Sequence, residues 1–414
     1  MERIYASYWL ETGDDPARAA EVIAGEQSSG TFVALATETP ELKERSGARV
    51  ERINILGHSK EPSLPGGMRS ERYTQCELEL SWPLENTGAS LPNLMSTIAG
   101  NLFELRQVSG LRLTGLKLPK AFADAYPGPA FGIEGTRRLT GVERGPLIGT
   151  IIKPSIGLSV EETVQQVREL VAGGIDFIKD DELQADGGRC PFDERVRAVM
   201  RVINEHAERT GKKVMMAFNL TGDLDEMRRR HDLIVAEGGT CAMAVLNSIG
   251  LVGLRELRRH AQVPIHAHRA GWGYLTRSPQ LGWDYAPWQQ LWRLAGADHM
   301  HVNGLSNKFS EPDESVVAAA RSVLAPVIEG ADMVSTMPVF SSGQTGLQAA
   351  DTYAAIGCAD LIHTAGGGIF GHPQGVSAGV EALREAWVAA MEGVPLAQHA
   401  KGNKALQAAL GFWK

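Results

Sequence analysis

From about residue 125 onward the hydrophobic pattern repeats along the chain. A short, nearly unbroken apolar stretch is followed by a segment with apolar residues at helical spacing, then glycine, then another apolar stretch. Eight such stretches begin near Gly149–Lys153, Ile175–Lys179, Val214–Phe218, Cys241–Leu246, Val263–His268, His299–His301, Met333–Val339 and Asp360–Thr364. Near-continuous apolar strands alternating with helices predict a parallel sheet covered by helices. Between the first two, Val160, Val164, Val167, Leu170 and Val171 form one helical stripe, and Ser159 with Glu162 spells a capping box at its start. Gly173–Gly174, Gly238–Gly239, Gly296 and Gly357 stand before strands, where glycine ends a helix in the left-handed conformation. Eight units in about 290 residues fit a (β/α)8 TIM barrel. An open doubly wound sheet is the alternative.

The first 125 residues read differently. Ile4–Leu10, Thr31–Ala36 and the segments around Val50 and Leu78 read as strands, and Pro16–Gln27 and Leu94–Leu105 as helices. This mixture predicts an N-terminal α+β domain of ferredoxin-like type over residues 1–125, with the barrel domain over 126–414. Pro127, Gly128 and Pro129 suit a linker between them. The tail after Gly393 reads as one or two helices packed on the barrel.

Composition narrows the class. The 414 residues are 43% hydrophobic and 22% charged, which gives ample chain for a large core and argues against long disorder. The net charge of -8 leaves no electrostatic footprint for nucleic acid or an anionic membrane, though a local basic pocket for an anionic small molecule remains open. No apolar run reaches the roughly 20 residues of a membrane span. The first residues lead into a strand without the pattern of a signal peptide, and the four cysteines, Cys76, Cys190, Cys241 and Cys358, match no zinc spacing. A cytoplasmic protein with reduced thiols is expected.

In a barrel the chemistry lies at the C-terminal ends of the strands. Here those ends carry Lys153-Pro154-Ser155, Lys179-Asp180-Asp181-Glu182, His266 and His268-Arg269, His301 with Asn303-Gly304, Ser341-Ser342-Gly343 and Gly366-Gly367-Gly368. Lys179 and Asp181, two apart, share a face. Asp181 and Glu182 are hard oxygen ligands suited to Mg2+, and a neutral lysine can take up CO2 as a carbamate, a third anionic oxygen ligand. An ordinary ion-pair network at a strand end would use the same residue types. The two small-residue loops after the seventh and eighth strands let backbone N–H groups approach a phosphate; a tight turn is the plain alternative. His266 and His268 invite a zinc reading, yet no third nitrogen or sulfur ligand is phased with them. Arg269 suits a phosphate or carboxylate through its planar fork. Lys308 follows Gly304 on the loop after the sixth strand, where it is either a lid lysine or a solvated one.

Taken together, Gly149–Gly157, Gly174–Glu182, His266–Ala270 and Gly366–Pro373, with Glu26–Thr31 and Gly100-Asn101 in the first domain, resemble the large subunit of RuBisCO over nearly the whole chain. The resemblance implies a carbamylated Lys179 and Mg2+ held by that carbamate, Asp181 and Glu182. It implies Lys153 as the base that moves a proton next to a carbonyl, and His268 as a neighbour of the metal site and a proton shuttle. Arg269, His301 and Ser341 resemble one phosphate clamp; Thr31, Gly343, Gly366, Gly367 and Lys308 resemble the other. Glu26 and Asn101 resemble residues that a partner subunit lends to the pocket, which implies at least a homodimer with shared sites.

The departures bear on activity. Ser155 stands where the family motif has its second lysine, Ile151 where it has a polar residue, Val302-Asn303-Gly304 where it has Ser-Gly-Thr, and Ser341-Ser342-Gly343 where it has Ser-Gly-Gly. The chain is thus similar to the form IV, RuBisCO-like group, which implies action on another phosphorylated keto compound in place of CO2 fixation. The reading placed first is a Mg2+-dependent enzyme that enolises and cleaves a C–C bond of a phosphorylated keto sugar acid, like the 3-oxoisoapionate 4-phosphate transcarboxylase/hydrolases. The alternatives are the diketo-methylthiopentyl phosphate enolase of methionine salvage and a binding protein without catalysis.

Overall fold

The computed structural model describes residues 2–31, 33 and 35–413; Met1, Phe32, Ala34 and Lys414 lie outside it. In chain order the strands are β1 (Arg3–Thr12), β2 (Arg49–Ser59), β3 (Tyr73–Pro83), β4 (Gly110–Lys117), β5 (Leu147–Ile151), β6 (Phe177–Lys179), β7 (Met215–Asn219), β8 (Cys241–Val245), β9 (Ile265–His268), β10 (Leu281–Trp283), β11 (His299–His301), β12 (Met337–Phe340) and β13 (Ile362–Thr364). They fall into two compact units. One takes the chain up to Pro127 together with Gly271–Leu294 and Pro326–Met333; the other takes Gly128–Ala270, Ala295–Ala325 and the chain from Val334 onward.

The first unit is a sheet in the order β10-β4-β1-β3-β2. Its β1, β2, β3 and β4 pair antiparallel, and the short β10 adds to β4 in parallel. The alternation in β1 explains its one-sided burial: Ile4, Ala6, Tyr8 and Leu10 face the core. The helix Pro16–Glu26 is capped by Asp15, whose carboxylate accepts from the Ala17 and Arg18 N–H groups. Helix, strand order and antiparallel pairing give the expected ferredoxin-like α+β arrangement. Two local readings are corrected. The described residues of Thr31–Ala36 form no strand: Val33 and Leu35 are about half exposed, and β4 takes the fourth place in the sheet. The helix read over Leu94–Leu105 runs Leu91–Ala99, is broken at Gly100, and resumes as a 3-10 turn over Asn101–Glu104.

The second unit is the barrel. β5, β6, β7, β8, β9, β11, β12 and β13 close in that order, each parallel to its neighbours, with β13 back against β5. These are the eight stretches that the apolar pattern marks. Leu147, Phe177, Met215, Cys241, Met337 and Ile362, each the first residue of its strand, meet in one fully buried cluster. Each such side chain contributes about 1.5–3 kcal/mol by leaving water. Ile133, Leu139 and Val142 pack against this cluster, so the helix Gly132–Thr140 closes the end of the barrel where the strands begin. The opposite end, where the strands finish, is left for chemistry.

The connections follow their sequence signals. Ser159 and Glu162 form the reciprocal capping box at the head of Val160–Ala172. Gly174 and Gly357 adopt φ of 78°, a conformation that would strain any residue with a Cβ. Helices Leu396–His399 and Lys404–Phe412 form the tail, with Ala405 and Ala409 against Ala382. Cys76, Cys190 and Cys241 are buried free thiols, and Cys358 is a half-buried one. Among the described residues no helix is long and apolar enough to cross a membrane.

Candidate active site

The barrel strands deliver their last residues to one place. Lys179 ends β6, with Asp181 and Glu182 just beyond it. Asn219 ends β7, His268 ends β9, His301 ends β11, and Ser341 directly follows β12. β5 stops at Ile151, two residues short of the expected Lys153, because Pro154 removes a backbone donor and restricts the residue before it.

Lys179 is the chemical centre of the cluster. Its side chain is 1% exposed and its ammonium lies 3.7 Å from Glu182 Oε2. Burial lowers its pKa from the ordinary lysine value, and the nearby Lys153 adds to this; Glu182, Asp181 and Asp180 oppose it. Lys153 Nζ donates to Asp181 Oδ2 at 2.6 Å and to Ser155 Oγ at 2.8 Å. The serine that replaces the family's second lysine is therefore a direct partner of Lys153. Asn219, which sequence reasoning missed, fixes the carboxylate loop. Its amide donates to the backbone carbonyls of Asp181 and Glu182 at 3.2 and 3.1 Å. Its position at the end of the third barrel strand was the available signal. Asp180 points away into a buried pair with Arg195, Nη2 to Oδ2 at 3.2 Å, and anchors the loop from behind.

The histidines form a second layer. His268 Nδ1 accepts from the Ala270 N–H at 3.2 Å, which leaves the proton on Nε2, 3.4 Å from Glu182 Oε2. Burial first, then Lys179, holds its pKa well below the usual histidine value, so the ring is neutral. Behind it runs a chain of buried rings. The Thr136 hydroxyl donates to the Gly132 carbonyl and lies 2.7 Å from His299 Nε2; His299 Nδ1 lies 3.3 Å from His266 Nδ1; His266 Nε2 lies 2.7 Å from His301 Nε2; His301 Nδ1 lies 3.1 Å from Ser341 Oγ. Donors and acceptors match along this chain if each ring is neutral. Burial pushes His299 down to about 3 and depresses His266 and His301 as well. Both nitrogens of His266 are thus engaged, and it does not pair with His268 toward a zinc ion. The other His/Asp cluster, His231, Asp232 and His260, lies away from the strand ends. There His231 Nε2 accepts from the Gln262 N–H, which commits Nδ1 to donate to Asp232.

The anion-binding candidates occupy the remaining strand ends. Arg269 is buried against Glu311, which also accepts from Asn303 Nδ2 at 2.6 Å. Neither Glu311 nor its pairing was legible in the sequence, because the loop places it 42 residues after its partner. Lys308 is exposed, its ammonium 5.2 Å from the Phe309 ring centroid. Its backbone N–H donates to the Ser342 carbonyl at 3.2 Å, and a Cβ added at Gly343 would meet the Lys308 side chain at 3.4 Å. Gly366 and Gly367 begin a short helix, Gly366–Phe370, where a tight turn was the plain alternative, and the first N–H groups of a helix have no partner within it. A Cβ added at Gly366 would lie 3.6 Å from Lys153 carbons. The barrel therefore brings together Lys153, Lys179, Asp181, Glu182 and His268, and separately links Arg269, Glu311 and Asn303. Glu26, Thr31 and Asn101 belong to the first unit and are exposed there.

Comparison with known proteins identifies the architecture. The family model described as ribulose bisphosphate carboxylase large chain, catalytic domain, matches residues 132–413, and the model for its N-terminal domain matches residues 3–122. The chain belongs to the RuBisCO large-chain family. Within that family it is 75% identical over 413 residues to a 3-oxo-isoapionate-4-phosphate transcarboxylase/hydrolase of Xanthobacter autotrophicus, covering 100% of both chains. It is 44% identical over 409 residues to a 3-oxo-isoapionate-4-phosphate decarboxylase of Rhizobium etli, covering 98% of each. Among solved structures, a rubisco-like protein from Burkholderia fungorum superposes with a TM-score of 0.94 at 44% identity and covers 100% of each chain. The RuBisCO-like barrel expected from the sequence is therefore the barrel observed.

Proposed function

We propose that this chain is a Mg2+-dependent RuBisCO-like enzyme that cleaves a C–C bond of a phosphorylated 3-oxo sugar acid, acting on 3-oxo-isoapionate 4-phosphate as a transcarboxylase/hydrolase and not as a CO2-fixing carboxylase. The observation that carries this reading is the 75% identity, across the whole chain, to the Xanthobacter protein of that name. The lower identity to the Rhizobium decarboxylase, 44%, favours carboxyl transfer over simple release.

The residues present fit a magnesium site. Lys179 is buried with a lowered pKa, which favours the neutral amine that takes up CO2, and Asp181 and Glu182 supply hard oxygens beside it. The carbamate of Lys179, Asp181 and Glu182 would hold Mg2+. When bound, the ion supplies positive charge that polarises a carbonyl and steadies the negative charge that develops on it.

The chain's own side chains do the rest. A 3-oxo acid carries its carbonyl β to the carboxylate, so the carboxyl group leaves as CO2 and its electron pair stays in conjugation with that carbonyl as an enediolate. Transfer is complete when the same CO2 is taken up at the other enediolate carbon. Water then adds to the new β-carbonyl and cleaves the C–C bond, the released carbanion taking a proton. Lys153 Nζ, oriented by Asp181 and Ser155, is the group that takes or returns the proton there. His268, neutral and donating through Nε2 toward Glu182, holds the carboxylate in place and offers a route for a proton. Arg269 with His301 and Ser341, and Lys308 with Gly343, Gly366 and Gly367, bind the two charged ends of the substrate, one phosphate and one carboxylate. Ser155 in place of a second lysine leaves the pocket short of the cation that CO2 fixation uses. Glu26 and Asn101 complete the pocket of a partner subunit, so the working form is at least a homodimer.

The test is turnover of 3-oxo-isoapionate 4-phosphate with Mg2+ and bicarbonate, followed by proton NMR in D2O, for wild type beside Lys179→Ala. Cleavage by wild type alone is the expected result. Equal cleavage by the variant, or a wild type inert on this substrate, would overturn the reading.

A further inference from the structure

Among the described residues, three that are not glycine hold positive φ: Asn303 at 66°, Ser306 at 50° and Ser342 at 74°. All three lie in the loops that follow β11 and β12. This conformation costs energy in any residue with a Cβ and persists only where the surroundings enforce it. Asn303 and Ser342 enforce it on each other. The Ser342 hydroxyl donates to Asn303 Oδ1 at 2.7 Å, and the Ser341 N–H donates to the Asn303 carbonyl at 3.2 Å. Glycine would take either conformation without strain. Two residues with a Cβ therefore hold a glycine-like conformation, and their side chains meet.

The pair reaches the anion-binding groups on both sides. The other end of the Asn303 amide, Nδ2, donates to Glu311 Oε2 at 2.6 Å, and that same carboxylate oxygen pairs with the Arg269 guanidinium. Glu311 is held from behind by the Ser315 hydroxyl at 2.9 Å. On the other side, the Ser342 carbonyl accepts the Lys308 N–H at 3.2 Å. We infer that Asn303 and Ser342 form a latch between the loops after β11 and β12, and that this latch positions Arg269, through Glu311, and Lys308 for a doubly anionic substrate. Both are positioning residues: neither needs to touch the substrate. The inference deepens the reading above and rests on it for the identity of that substrate.

A latch kept for function and a bond kept for stability differ in what glycine does. Ser342→Gly removes the bond and the strain together, so it leaves the melting temperature near that of wild type; Asn303→Gly also takes the Nδ2 donor from Glu311, so it melts lower. Ser342→Ala removes the bond and keeps the strain, so it melts lower. All three variants loosen the anion groups. The probe is inorganic phosphate, read as the concentration that gives half of the maximal rise in melting temperature. Each single variant should need about threefold to tenfold more phosphate, the span of one lost hydrogen bond. The Asn303→Gly/Ser342→Gly double variant should need no more than the weaker single one. With 3-oxo-isoapionate 4-phosphate, KM should rise while kcat changes little. Phosphate midpoints equal to that of wild type, or a double variant whose effect is the product of the two singles, would overturn the latch. A wild type inert on 3-oxo-isoapionate 4-phosphate whose variants still show these phosphate shifts would sink the proposed substrate and leave the latch standing.

Discussion

His363 gives a direct probe of how dry the barrel wall is. It lies on β13, fully buried, with its Nδ1 accepting from Trp387 Nε1 at 3.0 Å and its Nε2 without a hydrogen-bond partner. Burial pushes its pKa down to about 3 from the ordinary value of 6.5. The folded state therefore refuses a proton that the unfolded state accepts. For a base with a depressed folded pKa, stability is fully present above the unfolded value and is lost as pH falls toward the folded one. Between pH 7.5 and 5.5 that loss is about 1.4 kcal/mol for this one ring, since the unfolded histidine becomes about nine-tenths protonated while the folded one stays neutral. His299, pushed down to about 3 by the same cause, adds a similar amount. His363→Gln keeps an acceptor for Trp387 and removes the titration. Urea unfolding followed by tryptophan fluorescence at the two pH values should show wild type losing about 1.4 kcal/mol more than the variant. Equal losses in the two proteins would refute a buried neutral imidazole at this position.

The site carries further expectations. Lys153→Met should lower kcat by about 10²–10⁴-fold, the usual worth of a positioned proton-transfer group, with phosphate affinity little changed; steady-state kinetics retaining a tenth of wild-type activity would contradict its role. Asn219→Ala strips the carbonyls of Asp181 and Glu182 of their amide partner, so it should cost about 1–3 kcal/mol and raise the Mg2+ concentration needed for half activity; a metal titration with an unchanged midpoint would count against it. Arg195→Met leaves Asp180 charged and buried without its partner, a loss of about 3–5 kcal/mol. In thermal melts that variant should unfold well below wild type, and below the Asp180→Asn/Arg195→Met pair, which removes both charges.

The barrel was legible because its strands are buried on both faces. That makes them continuous apolar runs, and parallel strands need helical crossovers that carry their own caps. The ends of those runs then locate Lys179, Asp181, His268 and His301 without any knowledge of loops. What the sequence hid is what loops bring from a distance. Glu311 reaches Arg269 only because the segment after β11 folds back, and nothing in its neighbours Ser310 and Pro312 marks it as a partner. The Asn303–Ser342 contact joins two loops 39 residues apart. In the first unit, Thr31–Ala36 reads as a strand because it is an apolar run, yet Val33 and Leu35 are about half exposed, and β4 escapes the reading because Gly110 and Gly115 interrupt its apolar pattern. Lys153 was assigned to a strand that Pro154 ends early.

The most direct test follows the carbon of the carboxyl group. 3-Oxo-isoapionate 4-phosphate labelled with 13C at its carboxylate would be incubated with the protein, Mg2+ and unlabelled bicarbonate, and the products read by 13C NMR. Carboxyl transfer followed by hydrolysis keeps the label in a non-volatile carboxylate product, in wild type and not in Lys179→Ala. Label released as bicarbonate would make the chain a decarboxylase, and label left in the starting compound would contradict the proposed activity altogether.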